Sequence, residues 1–303
     1  MDKRSPWART PAGSDNSYLV DDALRIQTGS TENGDGVTAL TSLEKIRDLL
    51  GQRGKVVRLV GLSGVGKTRF VQALFDPAVG SHRLHSSLAV YTDMADAPDP
   101  QPIALATNLV ARRMRAILVI DNCPQDLHRR LSELVRAAGS TISVITIEYD
   151  IREDEPEGTD VFSLEPSSPD LVQKLISRRF PSLSDVDAQT IAKFSGGNAR
   201  IALGLAATVG KNESLAGLTD DGLFGRLFQQ RHEHDSGLLL MAQACALVFS
   251  FDGETVSGDE SEITRLSGIV GKTATEIFAG VAELRRRDLV QQRGLWRAVL
   301  PHA

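Results

Sequence analysis

The stretch that most constrains this chain is KVVRLVGLSGVGKTRF, residues 55–70. Its β-branched apolar run predicts a strand, its glycines allow the backbone to turn sharply, and the residues after Gly66 predict a helix. Gly61, Gly66, Lys67 and Thr68 satisfy the spacing G-x-x-x-x-G-K-[ST], in the strand-before, helix-after context that the motif requires. In such a loop the backbone N–H groups, here of Ser63, Gly64, Val65 and Gly66, converge on phosphate oxygens at a helix N-terminus. Lys67 adds a mobile positive charge for the β and γ phosphates, and the Thr68 hydroxyl is an oxygen ligand for Mg²⁺. The pattern implies a nucleotide site.

Further β-rich runs follow at SLAVYTD (87–93), AILVID (116–121), TISVITI (141–147) and DVFSLE (160–165), separated by helical stretches such as QDLHRRLSELVRAAG. Strands alternating with helices predict a largely parallel sheet in an α/β domain over residues 38–166. At the start of that domain, TSLEKIRDLLGQRG places Leu43, Ile46, Leu49 and Leu50 at helical spacing and predicts a short amphipathic helix closing on Gly51. Residues 1–37, rich in Pro, Gly, Ser and Asn, read as a linker or tail. After Pro166 the strands stop, and three short helical segments suggest a helical lid over 167–215. Three helices and two short strands around Arg293-Gly294 then give a winged-helix outline over 216–303.

A second Mg²⁺ ligand should end a neighbouring strand. ILVIDN supplies Asp121 after four apolar residues, placed as a Walker B aspartate is. The next residue, Asn122, is an amide, which orients water but cannot take its proton. Turnover is therefore expected to be slow, with a base coming from elsewhere if at all.

Lys+Arg 34 against Asp+Glu 39 gives a net charge of -5, so no global positive field gathers nucleic acid or anionic membrane. Two cysteines far apart, with neither a signal peptide nor a long apolar run, suggest a reduced, cytoplasmic protein without a membrane segment. His232 and His234 could grip a metal with Glu233 and Asp235, but with no cysteine or further histidine nearby an exposed loop or helix is favoured, and Cys123 reads as a small strand-end filler. Arg285, Arg286, Arg287, Arg293 and Arg297 form a local basic cluster, and a charged helix end at a protein contact is favoured over DNA binding.

With these pieces in place, the sequence resembles the STAND class of signal-transduction NTPases, which includes the NB-ARC and NACHT proteins and many bacterial regulators and antiviral sensors. The resemblance is carried by GLSGVGKTRF with its extra Arg69, by LVIDN, by SGGNARIALGLA, and by the winged-helix outline. The implied fold class is α/β, a parallel-sheet P-loop NTPase domain followed by a small helical bundle and a winged-helix domain. The implied function is an ATP/ADP switch. ADP held between loop, bundle and wing keeps it closed, and exchange for ATP opens it to self-associate and activate an effector.

Residue by residue, Gly61, Gly64, Gly66, Lys67, Thr68 and Asp121 match the family's phosphate and Mg²⁺ positions, and Arg69 extends the loop. GGNAR stands where the family often has a glycine-x-proline motif, and Arg200 resembles the lid arginine called sensor 2 in AAA+ ATPases. His302 lies roughly where NB-ARC proteins place a histidine against the ADP phosphate. Glu148 follows the fourth strand, where many relatives have a phosphate-sensing arginine, and no arginine of the upstream GRE motif is seen near Leu43. The resemblance also implies a core cut from a longer protein with an N-terminal effector and a C-terminal sensor. The competing readings are an AAA+ type ATPase with a winged helix acting on DNA, and a winged-helix transcription regulator. DNA is the less favoured partner.

Overall fold

The computed structural model describes residues 18–21, 23–28, 36–148, 158–210, 213–215, 217–229, 235–248, 250–258, 260–287, 289–293 and 295–299. The chain divides into two compact units, Met1–Leu175 with Gly196–Ala199, and Ile176–Ser195 with Arg200–Ala303.

The first unit runs β1 (Arg25–Thr28), β2 (Val37–Thr38), α1 (Ala39–Gly51), β3 (Val56–Val60), α2 (Lys67–Ala73), β4 (Ala89–Asp93), α3 (Pro102–Ala111), β5 (Ile117–Asp121), α4 (Gln125–Arg136), β6 (Ser143–Ile147) and β7 (Asp160–Leu164). Then α5 (Pro169–Arg179) crosses into the second. The strands form one seven-stranded sheet in the order β2-β1-β7-β3-β6-β5-β4. From β7 to β4 every neighbour is parallel, and β1 adds antiparallel to β7.

β3, β5 and β6 are buried at every position, which is why they read as unbroken apolar runs. Val57 and Leu59 join a core with Leu43, Ile46 and Leu50 of α1 and Phe70 and Val71 of α2. Val56, Leu118 and Val144 join a second core with Leu109 of α3 and Leu127 and Leu131 of α4. Thr38 caps α1 by accepting from Thr41 N at 3.2 Å. Arg47, on the same buried face of α1, donates to the carbonyls of Ala73, Leu74, Asp76, Val79 and Ser81, and so satisfies the chain that follows α2.

One expectation is corrected. Residues 1–37 read as linker, yet residues 25–28 are β1, within the sheet, and Val37 belongs to β2. Ile26 is fully buried, so this short strand finishes the core beside β7. From β3 the chain passes to the edge strand β4 and returns through β5 and β6, then crosses β3 to reach β7. The order therefore reverses at β3, and open α/β sheets bind ligands beyond the carboxyl ends of the strands at such a point.

The second unit contains α6 (Asp185–Phe194), α7 (Ala199–Ala206, whose first residue belongs to the first unit), α8 (Asp220–Gln229), α9 (Ser236–Ala246), β8 (Phe251–Asp252), α10 (Glu262–Ile269), α11 (Ala274–Arg286), β9 (Val290–Arg293) and β10 (Trp296–Val299). α11 opens with a reciprocal cap between Thr273 and Glu276 and buries Ile277, Val281 and Leu284, the face expected from their spacing. β8, β10 and β9 form a small antiparallel sheet. The turn at Gly294 lies outside the described residues.

Candidate phosphate and magnesium site

Gly61 leaves β3 at φ 137°, and a Cβ there would meet the Leu164 carbonyl oxygen of β7 at 2.5 Å. Only glycine fits that approach. Gly64 and Gly66 follow at φ 85° and 102°, so the loop doubles back before Phe70 N closes the first turn of α2 on Gly66 O at 2.8 Å. Val65 turns into the core beneath, and Ser63 is buried. The loop is thus held from below by an apolar side chain while its polar backbone stays on the other side.

Lys67 folds back over the loop, and its Nζ donates to Gly61 O and Leu62 O at 2.7 Å each. Thr68 Oγ1 donates to Asp121 Oδ2 at 2.7 Å, joining α2 to the end of β5 across the intervening β6. Tyr91 OH of β4 donates to the same oxygen at 3.0 Å, and Asn122 N donates to Oδ1 at 2.9 Å. Burial pushes the Asp121 carboxyl above its ordinary range; the Thr68 hydrogen bond opposes this, the Asp93 charge adds to it, and the bonds from Tyr91 and Asn122 N–H oppose it. Burial, then the Asp121 charge, raise the Tyr91 phenol, which keeps it a donor. A buried carboxylate beside a hydroxyl is a donor set that suits a hard divalent cation. Thr68 and Asp121 are the residues that would hold Mg²⁺.

Gly61, Ser63, Gly64, Val65, Gly66, Lys67, Thr68 and Asp121 are therefore brought together as their spacing suggested. Arg69 is engaged on its own helix, with Nη1 donating to Gln72 Oε1 at 2.8 Å. Arg200 is half-buried in the first turn of α7 and belongs to the second unit. His302, His232 and His234 lie outside the described residues.

Among the described residues no group of three or more His, Cys, Asp or Glu is placed to hold a metal, and no helix is long and apolar enough to cross a membrane. Cys123 is buried and packs in the α3–α4 core, as a filler does. The basic cluster is largely neutralised within the second unit. Arg287 is buried and pairs with Glu283 at 2.8 Å, Arg297 is buried and pairs with Glu254 at 3.0 Å, Arg286 also pairs with Glu283, and Arg285 bonds Gln292.

Three features were missed in the sequence. Asn198 of GGNAR, rather than its arginine, reaches the loop, with Nδ2 donating to Ser63 O at 2.7 Å. Glu148 is buried in an ion pair with Arg58. Asp93 ends β4 in register with Asp121 and accepts from Asn122 Nδ2 at 2.8 Å. For the last a signal existed, because AVYTD and ILVID both end in aspartate.

No family model matches the chain, and no curated protein matches it. Among solved structures, the chain is similar to a Signal Transduction ATPase with Numerous Domains (STAND) protein with a tetratricopeptide repeat sensor from Pyrococcus horikoshii. The TM-score is 0.42 at 14% identity, over 89% of this chain and 41% of that one, so the chain spans less than half of that protein's length. It is also similar to a Walker-type ATPase of Pyrococcus abyssi, with a TM-score of 0.41 at 9% identity, over 86% of this chain and 92% of that one. The chemical reading of the site rests on its own side chains.

Proposed function

We propose that this chain is the core of a nucleotide switch of the STAND type, a P-loop NTPase that holds ADP or ATP with Mg²⁺ and hydrolyses ATP slowly. The observation that carries the nucleotide reading is the meeting of Thr68 and Asp121 at 2.7 Å beside the glycine loop. A hydroxyl from α2 and a carboxylate from β5 converge where a hard cation would take both oxygens, next to backbone N–H groups suited to phosphate. Bound Mg²⁺ supplies charge neutralisation of the phosphates. Lys67 contributes the mobile positive charge, Thr68 and Asp121 orient the cation, and the N–H groups from Ser63 to Gly66 orient the phosphate oxygens.

Slow turnover is the counterpart of Asn122, whose amide cannot accept a proton where nucleotide motors carry a carboxylate. In this reading α5–α7 belong to a helical lid and α9–α11 with the small sheet to a winged helix. The likeness to the AAA+ lid arginine assigns a phosphate contact to Arg200, and the likeness to NB-ARC proteins assigns one to His302. Nucleotide exchange then gates self-association and activation of an effector, in bacterial antiviral defence or regulation.

The test is a mass spectrum of small molecules released from the purified, denatured protein, joined to calorimetric titration of the nucleotide-stripped protein with ADP and ATP, with and without Mg²⁺. Recovered ADP and Mg²⁺-dependent ATP affinity are expected. No recovered nucleotide and no binding at millimolar concentration would overturn the reading.

A further inference from the structure

We propose that Asp93 is the catalytic residue that takes the proton of the attacking water, with Asn122 as the positioning residue that holds its carboxylate. The inference rests on the nucleotide reading above and supplies the base that position 122 cannot provide.

β4 and β5 run parallel with Asp93 opposite Asp121, so two neighbouring strands present an aspartate at the same level of the carboxyl edge. The two have different surroundings. Asp121 is buried and bound to Thr68 and Tyr91, as suits a cation ligand, whereas Asp93 is half-buried and open to water. Asp93 Oδ1 accepts from Asn122 Nδ2 at 2.8 Å and from Ala95 N at 2.9 Å. Among the described residues its Oδ2 has no donor, so that oxygen is held in place with its lone pairs available.

A cap on the turn after β4 accounts for the Ala95 bond but not for Asn122. Asn122 stands at φ 52°, in the left-handed region, where its own N–H reaches Asp121 Oδ1 while its side chain reaches Asp93. Asparagine tolerates that conformation at a cost, and such strain collects at working sites. One residue thus clamps both aspartates. The charge of Asp93 is felt at the site, since it contributes to raising both Asp121 and Tyr91.

In the proposed step the water oxygen bonds to the γ-phosphorus as the bond to the β–γ bridging oxygen breaks, and that electron pair leaves with ADP. The water proton passes to Asp93 Oδ2 and then to solvent. ATP and water become ADP, inorganic phosphate and a proton.

The test compares wild type with Asp93→Asn, which keeps the shape and the cap, and Asn122→Gly, which keeps the left-handed backbone but removes the amide. Single-turnover hydrolysis is read beside the Mg²⁺-dependent affinity for a fluorescent ADP analogue. Asp93→Asn is expected to bind within about threefold of wild type and to hydrolyse about 100-fold more slowly, the scale of a lost general base. Asn122→Gly is expected to lower kcat by about tenfold with KM unchanged, as a misplaced base does, and decides the matter should Asp93→Asn melt below the assay temperature. Hydrolysis at the wild-type rate in Asp93→Asn, or in Asn122→Gly alone, overturns the proposal and leaves the nucleotide site standing. Lost affinity with unchanged turnover of the bound fraction also overturns it, because Asp93 would then be holding the ligand. Wild type that binds no nucleotide overturns both readings, and the same titration reports it.

Discussion

Arg58 on β3 and Glu148 just beyond β6 form an ion pair with Nε to Oε2 at 2.8 Å, both side chains buried. Thr146 Oγ1 donates to Glu148 Oε1 at 2.9 Å, and His128 Nδ1 lies 3.3 Å from the same oxygen. The pair ties β3 to the end of its parallel neighbour β6. Position 148, where the STAND proteins that the sequence resembles often carry a phosphate-sensing arginine, is thus a structural acid in this chain.

Removing one member of a buried pair leaves the other's charge without its partner. Glu148→Ala is expected to lower stability by about 3–5 kcal/mol. The double variant Arg58→Met with Glu148→Ala should recover a large part of that loss, because the stranded guanidinium is gone. Denaturant melts of the wild type, both single variants and the double variant measure the coupling.

Asp121 gives a pH dependence. Burial raises its carboxyl, so the folded state holds that proton more tightly than the unfolded chain does. Stability from this group is therefore fully present below the unfolded carboxyl value of about 4 and is lost as pH rises through the folded value. With divalent cations chelated, the wild type is expected to lose stability across that window. Asp121→Asn cannot ionise, so it should flatten this part of the profile and melt above wild type near neutral pH. Thermal melts from about pH 4 to pH 7 with a chelator check both.

What was legible in the sequence follows from where burial is complete. β3, β5 and β6 are covered on both faces, so their composition alone announces them. The loop was legible because four residues at fixed spacing carry its chemistry. β1 was not, since RIQT alternates half-buried and buried positions at the polar end of the sheet and looks like linker. Arg47 was hidden because a charged residue on the inner face of an amphipathic helix contradicts its periodicity. Its partners are carbonyls 26 to 34 residues away. The Asp93–Asn122 bond spans 29 residues and Asn198–Ser63 spans 135, distances at which no local pattern operates.

Gly61 and Gly66 separate conformational from steric cost. Both have positive φ, but a Cβ at Gly66 would meet no atom within 4 Å, whereas at Gly61 it would meet the Leu164 backbone at 2.5 Å. Gly66→Ala is expected to cost about 1–2 kcal/mol, the penalty of a left-handed alanine. Gly61→Ala should cost more, because β7 must move away from β3. Urea melts of the two variants give the comparison; equal losses would mean that β7 yields freely.

In the proposed site, Lys67 is the residue on which nucleotide retention should depend most directly. Its Nζ donates to two backbone carbonyls of the loop, Gly61 O and Leu62 O. Lys67→Ala is expected to lower the stability of the nucleotide-free protein by about 1.5–3 kcal/mol for each charge-assisted bond lost. With nucleotide the difference should be large. A charge-assisted bond is worth about 1.5–3 kcal/mol, and an ammonium bridging two phosphates makes more than one, so ADP affinity should fall about 100-fold or more. Wild type at an ADP concentration of about 100 Kd gains about 2.7 kcal/mol from binding, and Lys67→Ala at that same concentration should gain almost none. Melts with and without ADP, alongside a direct titration, measure this, and equal stabilisation of the two proteins would remove Lys67 from the site.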